Sequence, residues 1–267
     1  MPHAVHPSLA IAGQTVAGVD AGRRAALSAL LGAAVLGARP ARAAEPVAGL
    51  RMPVTTAALD LQFSGYWGDV VDANSKIASA RYQFSPNAGM YELKMRVNSA
   101  LATLSYESSG VLDEAGLHPR TYREVRKLPL RGDREKSVRF EESAQVDADG
   151  ALQGDRFIVP RGTQDRVSLL MQISLLARAF PQRFIAGSEV QVHYATLSQV
   201  GAATLKVGAV EDVDVGGRTV KAQRLRRIND DAHGAIDFWL GTDAQRAPVV
   251  IRFEDDGHTL RFVRREA

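Results

Sequence analysis

The stretch TQDRVSLLMQISLLARAF, residues 163–180, is the part of this chain in which apolar residues recur with the period of an α-helix. Thr163 or Asp165 can cap its start through a side-chain oxygen, and Pro181 ends it. Its apolar residues fill two adjacent stripes, so the apolar face is much wider than that of a surface helix. Such a helix must be covered on most sides, and a curved sheet around it would provide that cover.

Leu170 and Ile173 lie on these stripes and are expected to be buried, or to contact a ligand if the helix is a lid over a cavity. Truncating either to Ala in a packed interior typically costs about 2–5 kcal/mol. Gln172 interrupts the stripes with a polar side chain. We therefore expect the replacement of Gln172 by Ala to have little effect on stability.

After Leu59 the chain repeats a short alternating segment followed by Asp or Asn and then Gly. Asp and Asn tolerate turn conformations, and Gly adopts positive φ without steric cost. Such turns between period-2 segments are typical of antiparallel hairpins. The predicted turns are Pro86–Gly89, Asp113–Gly116, Asp147–Gly150, Asp214–Gly217, Asp231–Gly234 and Asp255–His258.

The segments between the turns alternate apolar and polar side chains. Val138 and Phe140 share one face of their segment, and Ile251 and Phe253 share one face of another. An antiparallel sheet can bury such an apolar face and expose the other to water. Roughly ten strands are expected, which tends to make an open sheet curl. The predicted fold is mainly β: one strongly curved antiparallel sheet, an open or partly closed barrel, wrapped on the single helix in one domain, residues 59–267.

The first 43 residues have the features of an export signal. Arg23 and Arg24 precede an apolar run from Ala25 to Leu36, and Ala41-Arg42-Ala43 forms a small-x-small cleavage site. This run is too short to cross a bilayer, which needs roughly 20 residues. The arginine pair and the mild Ala/Gly-rich core resemble a twin-arginine signal, and a general secretory signal stays open.

We therefore expect residues 1–43 to be a signal peptide cleaved after Ala43. Residues 44–58 are then an N-terminal linker, and the mature protein is expected to be periplasmic. The export route stays open between the two kinds of signal.

The charge outside this signal is balanced. The chain has 33 basic and 30 acidic residues, and the signal holds four of the former and one of the latter. The remainder has a formal charge of zero, which gives no basic stripe for nucleic acid. Cysteine is absent, which excludes disulfides and a lipidated cysteine. No later segment has the length of a transmembrane helix, and the oligomeric state stays open.

Common metal and catalytic motifs are missing. The four histidines after the signal are far apart, and without cysteine the usual structural zinc patterns cannot form. The loop at Asp147–Gly150 lacks the other ligands of a calcium loop, so a hairpin turn is favoured. No G-x-S-x-G elbow or phosphate-binding glycine loop occurs. Asp165 and Ser168 have the spacing of a reciprocal helix-start exchange. We expect no catalytic residue, no metal and no cofactor.

The remaining candidates for ligand contact are aromatic and cationic. Tyr66, Trp67 and Trp239 are either core residues or the wall of a ligand site, since such side chains combine an apolar body with a polar group. Arg123 shares a strand face with Val125 and could hold a ligand carboxylate or phosphate. A salt bridge to an acid on the same sheet is the alternative for Arg123.

Several segments in order resemble the domain-of-unknown-function 3108 family of exported bacterial proteins. They are LDLQFSGYWG at 59–68, GLHPRTYRE at 116–124, QDRVSLL at 164–170, FWL at 238–240 and PVVI at 248–251. The resemblance spans residues 59–264 and implies a β-rich exported protein without an established activity. Its fold is reminiscent of open-barrel lipoprotein carriers, which hold apolar ligands against a curved sheet. That analogy concerns the fold and does not carry function.

Three classes of function remain. The first is a non-catalytic periplasmic protein that binds an apolar or amphipathic ligand or an envelope partner. The second is a structural or assembly factor that acts through an exposed strand edge, and the third is an enzyme on envelope polymers. A pocket lined by Trp67, Trp239 and residues of the helix favours the first class, and an open edge over a filled core favours the second. Histidine and carboxylates clustered in one cleft favour the third.

Overall fold

The computed structural model describes residues 56–68, 75–128, 132–143, 151–153, 156–197, 200–228, 235–255 and 258–265. The signal peptide expected at 1–43 and the linker as far as residue 55 lie outside these residues. The turns expected at 147–150 and 231–234 also lie outside them.

Within the described residues the chain forms fourteen strands and one α-helix, more strands than the turn pattern indicated. The helix, α1, spans Ser168–Ala179 and is followed by a 3-10 turn at Pro181–Arg183. The strands are β1 Leu59–Trp67, β2 Lys76–Asn87, β3 Met90–Ser99, β4 Thr103–Asp113, β5 Gly116–Leu128, β6 Gly132–Glu142, β7 Ala151–Gln153, β8 Arg156–Val159, β9 Glu189–Ala195, β10 Val200–Val215, β11 Arg218–Ile228, β12 Ala235–Gly241, β13 Pro248–Asp255 and β14 His258–Arg265.

All fourteen strands belong to one sheet that does not close into a barrel. Their order is β7-β8-β6-β5-β4-β3-β2-β1-β14-β13-β12-β11-β10-β9. Every pairing is antiparallel except that between β6 and β8, which is parallel. The predicted fold, a curved antiparallel sheet around one helix, is confirmed.

The turns that the sequence indicated join neighbouring strands. Those at 86–89, 113–116 and 214–217 connect β2 to β3, β4 to β5 and β10 to β11. Gly89, Gly116 and Gly217 in these turns have φ angles of 78°, 116° and 88°. The pairing of Asp255 with His258 makes β13 and β14 a hairpin as well.

Period-2 alternation places one face of the sheet against the helix. In β3 the buried residues Tyr91, Leu93, Met95 and Val97 alternate with exposed neighbours. These side chains join the residues of α1 in one continuous core, here called the main core. Ten of the twelve residues of α1 are buried, from Ser168 to Ala177. The helix is therefore the interior element that its wide apolar face predicted.

A side-chain exchange fixes the start of the helix. The Oδ1 atom of Asp165 accepts hydrogen bonds from the backbone N–H groups of Val167 and Ser168, both at 2.9 Å. In return, the backbone N–H of Asp165 donates to the hydroxyl of Ser168 at 2.9 Å. The expected exchange is confirmed, and Asp165 rather than Thr163 caps the helix. The hydroxyl of Thr163 instead donates to the carbonyl of Pro160 at 2.7 Å.

The opposite face of the sheet is not uniformly polar, unlike the sequence-based expectation. Strand β10 is long, with 16 residues, and the shift in its register between Val207 and Val210 bends it. It contacts β14, although three strands lie between β10 and β14 in the sheet. The end of β10 beyond this bend covers a second apolar cluster on the outer face of the sheet. This outer core consists of Val213, Val215, Ala222, Trp239, Val249, Val250 and Val263.

Gln172 departs from the sequence-based expectation. Its side chain is buried. Its Oε1 accepts a hydrogen bond from the backbone N–H of Leu117 at 2.8 Å, and its Nε2 donates to the carbonyl of Ala115 at 3.3 Å. A Cβ atom on Gly116 would come within 2.2 Å of that amide, so the turn leaves room for nothing larger than glycine. Gln172 thus attaches the helix to the turn between β4 and β5.

We expect Gln172→Ala to lower the free energy of unfolding by about 1–3 kcal/mol, because it leaves the buried N–H of Leu117 without its acceptor. Urea unfolding followed by circular dichroism measures this change. Gln245→Ala is the matched control, since Gln245 is exposed and its hydrogen bond to Asp243 is made by the backbone N–H, which the substitution keeps. Equal and small effects of the two substitutions would contradict this role of Gln172.

Candidate functional site

A cavity of about 50 Å³ lies between the start of the helix and the concave face of the sheet. It is here called the inner cavity. A cavity needs roughly 10–15 Å³ to hold one water molecule, so this one has room for a small chemical group. Its lining residues are Met95, Tyr106, Arg166, Leu169, Leu170, Tyr194, Arg227, Ile236, Phe238, Ile251 and Phe253.

Most of this lining is apolar because the inward positions of the strands carry the main core. Phe238 and Ile251 pair directly across β12 and β13, and both are almost completely buried. Ile236 and Phe253 form the next inward pair on the same two strands, and both are only half-buried. The cavity therefore approaches solvent at Ile236 and Phe253.

Arg166 brings a guanidinium group to this apolar lining. It follows the cap residue Asp165, and its guanidinium carbon lies 5.7 Å from the centre of the Tyr106 ring. Its Nη1 lies 3.9 Å from a carboxylate oxygen of Glu124, which is buried. Burial opposes the charge on Arg166, but the surrounding tyrosines and Glu124 outweigh that effect and raise its pKa. Arg166 is therefore a permanent cation at the edge of the main core.

Arg227 supplies a second guanidinium group from the sheet. Its side chain points inward with Leu225, whereas Arg224 and Arg226 point outward. Arg227 is only 4% exposed, and its guanidinium carbon lies 5.3 Å from the centre of the Tyr194 ring. An arginine on the apolar face of a strand is unusual, because charged side chains are seldom fully buried.

A buried polar network fixes the helix start beside the inner cavity. The hydroxyl of Ser108 donates to Oδ2 of Asp165 at 2.5 Å, and the hydroxyl of Tyr91 lies 3.1 Å from that of Ser108. The hydroxyl of Tyr82 donates to the carbonyl of Val167 at 2.8 Å. Burial raises the pKa of Asp165 to about 6, although its hydrogen bonds favour the ionised form. The network therefore joins strands β2, β3 and β4 to the first turn of the helix.

A second cluster of ionisable residues lies at the turn between β4 and β5. The Nδ1 atom of His118 is 2.8 Å from Oε1 of Glu142, and its Nε2 atom is 2.9 Å from Oδ1 of Asp113. These residues line a shallow cleft of about 340 Å³ together with Val111, Arg120, Ser143 and Arg161. Histidine and carboxylates in one cleft are the arrangement that favours an enzyme.

The hydrogen bonds of this cluster indicate a structural role. Both ring nitrogens of His118 face carboxylates, so the imidazolium can donate to each. Burial opposes protonation of His118, but Glu142 and Asp113 outweigh it and raise its pKa. The backbone N–H of Ala115 donates to Asp113 at 2.7 Å and that of Gly162 to Glu142 at 2.8 Å. Burial raises the pKa of each carboxyl, but these donors and His118 lower both below their ordinary values.

The structure separates the candidate residues that the sequence suggested. Leu170 lines the inner cavity, and Ile173 lies in the main core. Trp239 belongs to the outer core, with Tyr66 packed against it. Trp67 is half-buried and pairs with Leu260 at the end of β1, away from the cavity lining.

Arg123 also lies away from the inner cavity. Its Nε and Nη2 atoms donate to Glu135 at 2.7 and 2.8 Å, and its Nη1 donates to Glu107 at 3.2 Å. These three residues belong to the adjacent strands β5, β6 and β4. The structure therefore shows the salt bridge that was the alternative to a ligand contact.

The two arginines of the inner cavity were missed from the sequence. The sequence does contain a signal for Arg227. It lies two residues after the apolar Leu225, and side chains two residues apart lie on the same face of a strand. Arg166 gives no comparable signal, because a charged residue just before a helix ordinarily lies in solvent.

The described residues hold no group of three or more His, Asp or Glu that could bind a metal ion. The same residues contain no helix long and apolar enough to span a membrane.

Near pH 6, we expect His118→Asn to lower the free energy of unfolding by roughly 1.5–3 kcal/mol. The substitution removes the charged hydrogen bonds between the imidazolium of His118 and the carboxylates of Glu142 and Asp113. The stabilisation from the raised pKa of His118 is complete below about pH 6.5 and disappears as pH rises through the folded-state value. The stabilisation from the lowered pKa values of Asp113 and Glu142 disappears as the pH falls through those pKa values. Urea unfolding from pH 5 to 9 should therefore show the two proteins converging as the pH rises.

His193→Asn is the control of opposite sign. Burial lowers the pKa of His193. The contribution of neutral His193 to the free energy of unfolding is therefore complete above about pH 6.5 and is lost as the pH falls through the lowered pKa. A constant difference between wild type and His118→Asn at every pH would show that the imidazolium is not the stabilising species.

Comparison with known proteins places the chain in a family. No curated protein matches the sequence. A crystal structure of a β-barrel-like protein of domain of unknown function DUF1849 from Brucella abortus has 15% sequence identity and a TM-score of 0.45, covering 78% of this chain and 95% of that one. The family described as "Protein of unknown function (DUF3108)" matches residues 62–262. The chain therefore belongs to the DUF3108 family.

Proposed function

We propose that this protein is a non-catalytic periplasmic binding protein whose ligand occupies the inner cavity. The ligand is apolar or amphipathic. The observation that supports this function is the inner cavity itself, bounded by Leu169 and Leu170 of the helix region and by Phe238 and Ile251 of the sheet. Ligand sites are typically concave and mostly apolar, with a few polar groups that fix orientation.

The proposal includes export of the protein and removal of its signal peptide. The arginine pair, the short apolar run and the small-x-small site before Ala44 support it. N-terminal sequencing of protein recovered from the periplasm should begin at Ala44. Full-length protein retained in the membrane fraction would contradict this part of the proposal.

An enzyme is the second candidate, and the cluster around His118 is the observation in its favour. However, both ring nitrogens of His118 are engaged by carboxylates, and the raised pKa of His118 favours the protonated ring, which is not a base. The two carboxylates accept backbone hydrogen bonds that hold turns in place. We therefore assign the cluster to stability.

An assembly factor acting through a strand edge has less support. The backbone of Gln164 pairs with the outer edge of β9: its N–H donates to the carbonyl of His193 at 2.8 Å and its carbonyl accepts from the N–H of Ala195 at 2.7 Å. The other outermost strand of the described sheet, β7, has only three residues. Short or covered edges are how proteins prevent pairing with another chain.

Binding of xenon, an apolar atom small enough for a cavity of about 50 Å³, tests the cavity. We expect the xenon NMR chemical shift to respond to the wild-type protein and this response to fall about tenfold in Leu170→Trp, because the larger side chain fills the space beside the helix. Leu101→Trp is the matched control, since Leu101 is 41% exposed and remote from the cavity lining. Thermal melts of both variants establish that they remain folded.

Two outcomes would contradict the proposed function. One is the absence of any probe binding to the wild-type protein after removal of co-purified molecules. The other is equal binding by folded Leu170→Trp and Leu101→Trp, which would place the probe elsewhere on the protein. Native mass spectrometry of protein from periplasm reports any ligand that co-purifies.

A further inference from the structure

We propose that the inner cavity holds the apolar end of a single unbranched hydrocarbon chain, which enters tail first past Ile236 and Phe253 and leaves its polar head in solvent. This inference rests on the proposed function and specifies the class of ligand and its orientation. The recognised feature is the chain, so amphiphiles with one chain and different heads belong to the same class.

The wall of the inner cavity suits an apolar group. Nine of its eleven lining residues are apolar or aromatic, and the other two are arginines that the protein itself engages. Arg166 lies over the ring of Tyr106 and near Glu124. Arg227 lies over the ring of Tyr194. A polar head placed here would lose its hydrogen bonds to water without replacement, whereas a methyl end has none to lose.

The volume of the inner cavity favours the end of a chain over a ring. About 50 Å³ is room for roughly three or four groups of the size of a water molecule, which corresponds to the last few carbon atoms of a straight chain. A buried cavity that accepts benzene has roughly 150 Å³. A ring or a branched end would therefore displace packed side chains, which is destabilising.

An apolar rim continues from the mouth of the cavity along the sheet. Ile236, Phe253, Leu260 and Trp67 are successive cross-strand neighbours on β12, β13, β14 and β1. Leu260 is buried, and the other three residues, here called the apolar rim, are half-buried. Neighbouring strands lie about 4.8 Å apart, so the apolar rim extends roughly 14 Å from Ile236 to Trp67.

Trp67 faces the same side of the sheet as the cavity. Gly65 pairs with Phe262 of the main core, and a Cβ atom on Gly65 would lie 2.8 Å from the Phe262 ring. Tyr66 packs on the outer core, so the alternation of faces returns Trp67 to the inner side. The rings of Phe253 and Phe262 meet edge to face, 6.3 Å apart, which orients Phe253 at the mouth. A chain that leaves the cavity therefore contacts apolar side chains before its head reaches water.

Displacement of xenon by ten-carbon amphiphiles tests the orientation. Decanoate should abolish the xenon response of the wild-type protein, because its methyl end occupies the inner cavity. Decanedioate has the same length but a carboxylate at both ends, so tail-first entry predicts that it binds at least about a hundredfold more weakly. Decanol and decyltrimethylammonium should bind within about threefold of decanoate, because the head stays in solvent. NMR titration gives the four dissociation constants.

Variants connect the chain to the cavity and to the apolar rim. Leu170→Trp, which fills the cavity, and Trp67→Ala, which removes apolar surface from the rim, should each weaken decanoate binding about tenfold. Tyr66→Ala is the matched control, because it removes a neighbouring aromatic side chain from the opposite face. Thermal melts establish which variants remain folded. Ile236→Ala is the second rim variant and replaces Trp67→Ala if that protein does not fold.

The outcomes separate this inference from the function on which it rests. If the wild-type protein gives no xenon response, the proposed function fails. If xenon binds but decanoate does not displace it, the function stands and the hydrocarbon chain is wrong. Displacement by decanedioate as readily as by decanoate would overturn tail-first entry. Unchanged decanoate binding in the folded rim variant would overturn the path of the chain along the apolar rim.

Discussion

The burial of α1 against the concave face of the sheet is the constraint on which the rest of the structure depends. A helix that is apolar on most sides cannot rest on a flat sheet, because much of its surface would stay in water. The sheet must therefore curve, and register shifts near Gly65, Gly110 and Val207 provide local bends. At Gly110 a Cβ atom would come within 2.0 Å of the carbonyl oxygen of His118, so this bend requires glycine.

Polar contacts decide where along the sheet the helix lies. Asp165 connects the helix start to Ser108 in β4, and Gln172 connects its middle to the turn between β4 and β5. Gln164 reaches both sides of the interior: its backbone pairs with β9, and its side chain donates to the carbonyl of Leu117 at 2.7 Å. Apolar packing tolerates sliding, whereas buried hydrogen bonds require particular partners. These contacts hold Arg166 at the inner cavity.

The sequence was sufficient to predict elements whose signals are local. The helix, the hairpins around glycine turns and the Asp165–Ser168 exchange all follow from periods and spacings within a few residues. The candidate site needed information that no local pattern contains. Trp239 and Phe238 are neighbours in sequence, yet the strand sends one to the outer core and the other to the inner cavity. Gln172 was misjudged because its partners, the backbone groups of the β4–β5 turn, lie more than fifty residues away.

The arrangement of two cores explains how a cavity can persist in this fold. The inner cavity and the outer core lie on opposite faces of the same strands, since Phe238 and Ile251 face the cavity while Trp239 and Val250 face outward. Packing on the outer face can hold β12 and β13 in a curved form without complete filling of the inner face. The indole N–H of Trp239 donates to Glu211 of β10, and Arg224 lies 5.2 Å from the indole ring, so polar contacts also fix this outer layer. Because the curvature is supported from outside, the space beside Arg166 and Arg227 can remain available for a ligand.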